Sequence, residues 1–83
     1  MEQNYNDKEV IKQKEAKIID ELISIREGKK VSQKQLSELV KVSQPSLARL
    51  ECKKISPGIG TMIKLLAPLG YTIKVVPLEK EGK

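Results

Sequence analysis

Between Gln33 and Leu50, five aliphatic residues and one small one stand at offsets that suit two short helices locked together by a tight turn. Counting Gln33 as the first position, Leu36, Val40, Val42, Leu47 and Leu50 fall at the fourth, eighth, tenth, fifteenth and eighteenth, and Ser37 falls at the fifth. The Leu36–Val40 and Leu47–Leu50 spacings place each pair on one helix face. The break lies at Lys41-Val42. Ser32, followed three residues later by Gln35, has the S-x-x-Q form of a capping box and predicts a helix from Gln33 to about Val40. Ser43 suits the N-cap of a second helix reaching about Glu51, with Pro45 in its first turn, where a missing N–H costs little.

The flanking sequence predicts more helix. Residues 1–7 show no apolar periodicity, but from about Lys8 to Glu27 the stripe Ile11, Ile18, Leu22 and Ile25 is helical, and Ile19 and Ile23 widen it. Gly28 marks the stop, and the half before Glu15 carries fewer apolar positions. Ser56-Pro57 reads as N-cap and first residue of a further helix containing Ile59, Met62, Ile63, Leu65 and Leu66, ended by Pro68 and Gly70. The period then changes, because Tyr71, Ile73 and Val75 alternate with Thr72 and Lys74. That predicts a strand ended by Pro77. The expected fold is mostly all-α: four to five helices plus one C-terminal β-strand. It divides into a polar tail at 1–11, a helical domain at 12–70, and a terminal strand and tail at 71–83.

Composition removes most other functions. In 83 residues there is no histidine and one cysteine, Cys52, so internal disulfides and histidine chemistry are excluded. A thiol with no histidine to activate it is a poor nucleophile, and no Gly-rich phosphate loop follows a strand. Neither an enzyme nor a cofactor is expected. No apolar run approaches the roughly 20 residues a membrane helix needs, and the polar start lacks a signal-peptide core. A cytoplasmic location with no membrane contact is the expectation.

The net charge is +5, and its distribution is uneven. Residues 1–28 carry five basic and seven acidic side chains, whereas residues 29–54 carry seven basic ones against Glu38 and Glu51. A basic middle third attracts a phosphate backbone by releasing counterions. The stretch VSQKQLSELVKVSQPSLARLE resembles the helix-turn-helix of the lambda-repressor and Cro-type (XRE) family, and KKISPGIGTMIKLLAPLG resembles that family's next loop and fourth helix. In such a motif the second helix enters the major groove of double-stranded DNA. Two positions depart from the resemblance. The family usually has Gly at the turn, where this chain has Lys41, and Gly in the next loop, where it has Lys53. A side chain at φ > 0 costs roughly 1 kcal/mol.

If Leu47 and Leu50 face inward, Gln44, Pro45, Ala48 and Arg49 face outward, and the resemblance places base contacts there. Gln44 suits adenine, Arg49 suits guanine, and Pro45 and Ala48 offer apolar contact to a thymine methyl. Gln33, Ser43, Ser46, Lys53, Lys54 and Thr61 are expected at phosphates. Arg26 and Lys64 read as surface charges. The bland reading of the outward residues is ordinary solvated surface. With two tyrosines and no other aromatic, little is available to stack on RNA bases.

A lone strand leaves backbone groups unpaired, so Tyr71, Ile73 and Val75 are expected to pair antiparallel with the same strand of a second subunit; the alternative is an unpaired strand folded back on its own helices. A homodimer offers two recognition helices to the two halves of a palindromic operator, and a dimeric, sequence-specific repressor is the leading expectation. The ending LGYTIKVVPLEK is similar to that of antitoxins of the host-inhibition-of-growth type, which the resemblance implies would bind an RNase toxin and repress their own operon. A helix-turn-helix serving only as an oligomerisation unit is the third reading.

Overall fold

The computed structural model describes residues 7–78. The outer parts of the expected tails, 1–6 and 79–83, lie outside the described residues. Four α-helices and a short 3-10 turn follow one another: α1 (Lys8–Gly28), α2 (Gln33–Val40), α3 (Gln44–Glu51), α4 (Ile59–Leu66) and the turn Ala67–Leu69. α1 starts inside the stretch assigned to the polar tail, because Asp7 caps it by accepting the Glu9 N–H at 2.9 Å. The capping box forms as expected. Ser32 Oγ accepts from the Gln35 N–H at 3.0 Å, and the Ser32 N–H donates to Gln35 Oε1 at 2.8 Å. Ser43 caps α3 through the Ser46 N–H at 3.2 Å.

The core is aliphatic with one methionine: Ile19, Leu22, Leu36, Leu47, Leu50, Met62, Leu65, Leu66 and Leu69. Ile23, Ile25, Val31, Val40 and Ile73 pack on it from the edge. α2 and α3 pack against each other between α1 and α4, so the inward sides of the helix pair are shared with every other element.

Two sequence expectations are corrected here. The buried stripe of α1 is Ile19, Leu22 and Arg26, whereas Ile11 and Ile18 are exposed. The helix is rotated so that spacings of three and four from Ile19 meet the core; the seven-residue step back from Ile18 meets solvent. α4 starts at Ile59 with Gly58 as its N-cap, not at Ser56-Pro57. The Ser56 hydroxyl is occupied elsewhere, donating to Glu15 Oε2 of α1 at 2.5 Å.

All four helical segments end in the same way. The N–H groups of Val31, Val42, Lys54 and Tyr71 reach back to the carbonyls of Arg26, Ser37, Arg49 and Leu66, at 2.9–3.1 Å. Each such closure requires a left-handed residue just before the donor. Gly70 serves at φ 89, but the other three positions are lysines: Lys30 (φ 60), Lys41 (φ 59) and Lys53 (φ 65). Lys41 therefore keeps the turn that glycine would make. Each left-handed lysine costs roughly 1 kcal/mol. A cation at a helix C-terminus recovers about 0.3–1 kcal/mol of that from the helix dipole.

Residues Tyr71–Pro77 take no regular secondary structure in the single chain. Among the described residues, this segment makes no backbone–backbone hydrogen bond past the Tyr71 N–H.

Candidate nucleic-acid interface

α3 is only eight residues long, so its orientation depends on what it rests on. Leu47 and Leu50 are 0 % and 2 % exposed, which fixes its inner side. On the outer side Gln44, Pro45, Ser46 and Arg49 are exposed and Ala48 is half-buried. Among the described residues, the Gln44 and Arg49 side chains have no hydrogen-bond or ion-pair partner. The helix thus presents an amide, a guanidinium and a small apolar surface together.

The C-terminal end of α3 is held by a buried ionic network that sequence reasoning missed. Arg26 of α1, read as a surface charge, is 7 % exposed. Its Nε and Nη2 donate to the two carboxylate oxygens of Glu51, both at 2.8 Å, and its Nη1 donates to the Val31 carbonyl at 2.8 Å. Gln33, the first residue of α2, donates from Nε2 to Glu51 Oε1 at 2.9 Å. One carboxylate therefore joins α1, the start of α2 and the end of α3. A carboxylate at the negative end of a helix dipole is unfavourable alone, and the two-pronged Arg26 contact makes it tolerable. A usable signal is present in the sequence. Arg26 lies on the apolar stripe of α1 and Glu51 adjoins Leu50, and opposite charges on two buried stripes call for each other.

The expected phosphate-binding residues divide into four groups. Gln33 is half-buried, with its amide committed to Glu51, so its backbone N–H at the start of α2 is what remains to offer. Ser43 and Ser46 are exposed at the start of α3, the Ser43 hydroxyl donating to Ser46 Oγ at 2.9 Å. Lys53 and Lys54 project from the loop after α3, and Lys53 Nζ forms an ion pair with Asp20 of α1. Thr61 is half-buried in the first turn of α4, which has no side-chain cap.

Tyr71 and Val75 are exposed at 50 % and 95 %, but Ile73 packs against the core of its own chain. Tyr71, Ile73 and Val76 form one wall of a groove whose other wall is α1, through Ile18, Leu22 and Ile25. Among the described residues there is no group of three or more metal-ligating side chains, and no helix is long and apolar enough to cross a membrane.

A helix-turn-helix family model matches residues 22–76, well over half of the chain. The chain is 49% identical over 61 residues to a protein of Haemophilus influenzae named as an uncharacterized HTH-type transcriptional regulator. The match takes in 74% of this chain and 62% of that relative, so the chain spans less than two thirds of its length. No solved structure matches the chain.

Proposed function

Since the chain belongs to the helix-turn-helix family, we propose that it is a sequence-specific double-stranded DNA-binding protein that regulates transcription, acting as a repressor in the cytoplasm. The observation that carries this reading is the outer face of α3, where Gln44 and Arg49 stand exposed and unengaged on a helix fixed from behind by Leu47 and Leu50. Gln44, Pro45, Ala48 and Arg49 read base edges. Gln33, Ser43, Ser46, Lys53, Lys54 and Thr61 meet phosphates. Residues 12–70 are the binding domain and 71–83 the assembly segment.

The test is selection of bound sites from random duplex DNA, followed by Arg49→Ala. Loss of a bidentate guanine contact is expected to weaken the selected site by about 1–3 kcal/mol and to relax the preference at one base pair. An equal loss on random DNA would show that Arg49 meets only phosphate.

The assembly proposed is a homodimer in which the 71–76 segment pairs antiparallel with its copy, which would satisfy the backbone groups that remain open in one chain. Two copies of α3 then face half-sites about 34 Å apart on a palindromic operator. Ile73 already serves the core of its own chain, so Val75→Asp is the cleaner probe than a change at Ile73. Sedimentation is expected to show monomers for Val75→Asp with an unchanged melting temperature at low concentration. Dimers that persist would put the interface elsewhere.

A second reading is an antitoxin that binds an RNase toxin and represses its own operon. It is favoured by the likeness of LGYTIKVVPLEK to such antitoxins, together with the exposed Val75 and Val76. A toxin-like reading frame beside the gene, and a complex on co-expression, would select it.

A further inference from the structure

The loop between α3 and α4 is tied to the body of the protein by two acidic side chains of α1. Glu15 accepts the Ser56 hydroxyl at 2.5 Å, and Asp20 Oδ1 accepts the Lys53 ammonium at 2.5 Å. Lys53 is an unusual residue for its place. It closes α3 from the left-handed region at φ 65, where a glycine would meet no penalty, yet its ammonium is not free. Both partners are open to water, at 40 % and 60 % exposure, so the pair is held only weakly and another anion can compete for Lys53. Its neighbour Lys54 is exposed and has no such partner among the described residues.

We infer that Asp20 is a residue that sets DNA affinity: it holds Lys53 in an internal ion pair that a DNA phosphate must displace. This rests on the DNA-binding reading above. With Asp20 in place, engaging Lys53 on a phosphate breaks one ion pair to make another, and leaves a carboxylate near the DNA backbone. The chain therefore binds DNA with one fewer effective cation than its loop carries. The arrangement keeps non-specific affinity low, because that affinity comes almost wholly from phosphate neutralisation.

The test uses the whole chain and a short random-sequence duplex, with the binding constant measured across a salt series. Each phosphate newly neutralised adds about 0.9 to the slope of log K against log salt. Asp20→Asn is expected to steepen that slope by about this amount and to tighten binding about two- to fivefold, the range an exposed ion pair can supply. In the Lys53→Met background the same Asp20→Asn change is expected to leave the slope unaltered. Circular dichroism melts of all variants establish that the fold is intact.

An unchanged or shallower slope for Asp20→Asn overturns the inference. So does an equal steepening in the Lys53→Met background, since Asp20 would then act only as a long-range charge. Failure of the unaltered chain to bind any duplex would overturn the DNA-binding reading itself, an outcome separate from binding that ignores Asp20.

Discussion

Glu51→Ala is expected to destabilise the domain by about 3–5 kcal/mol, the cost of leaving a buried guanidinium without its partner. Arg26 is 7 % exposed and commits two of its three hydrogen-bonding nitrogens to Glu51, so truncation strands it in the interior. Small domains have roughly 5–15 kcal/mol in total, and the loss is a large share of that. Urea denaturation measures it. The informative control is the double variant Arg26→Met/Glu51→Leu. Apolar replacement of a whole buried pair is often neutral or stabilising, so its stability is expected to return to within about 1 kcal/mol of the parent. It should still bind DNA less well, because Gln33 Nε2 loses the Glu51 oxygen that fixes the start of α2. A loss below about 1 kcal/mol for Glu51→Ala would show that Arg26 reaches water, and the network would then be no anchor.

Leu47→Ala is expected to cost about 2–5 kcal/mol, through lost burial and the cavity left behind. Leu47 is 0 % exposed and sits on the inner side of α3, between the recognition residues Gln44 and Arg49 proposed above. Its effect differs in kind from that of Arg49→Ala, which removes an exposed side chain and leaves melting unchanged. Leu47→Ala lowers the melting temperature and also weakens binding at every base position alike, since α3 as a whole loses its seat. Loss confined to one base pair would mean that α3 is held by other contacts.

The helix pair is legible in the sequence because its determinants are local. The capping serines at 32 and 43, Pro45 in the first turn, and aliphatic residues at spacings of three and four specify α2 and α3 within a few residues of chain. The outward set follows from the inward one, since Leu47 and Leu50 leave Gln44 and Arg49 no other direction. Lys41 is legible as a residue in a glycine's place, and the structure shows it taking up the left-handed turn. Lys30, at the end of α1, does the same with no such signal, because a lysine after Gly28 looks like ordinary surface.

The features that escape sequence reasoning are those set by contact between distant parts of the chain. Ser56 has the sequence signature of a cap, but its hydroxyl is taken by Glu15, forty-one residues away, and the cap moves to Gly58. The face of α1 is chosen by the core it meets, so periodicity centres the stripe on Ile18 where Ile19 is the buried residue. Arg26 taken alone reads as a surface charge, and Glu51 carries only the hint of standing beside Leu50; their approach across 25 residues makes them a buried pair. Spacing, capping and residue size thus determined which segments are helical and which side of α3 faces outward, because these act along the chain. Tertiary structure alone decided which charges are buried, which hydroxyls are free to cap and which lysine is held by an acid, because desolvation and pairing depend on what arrives from elsewhere.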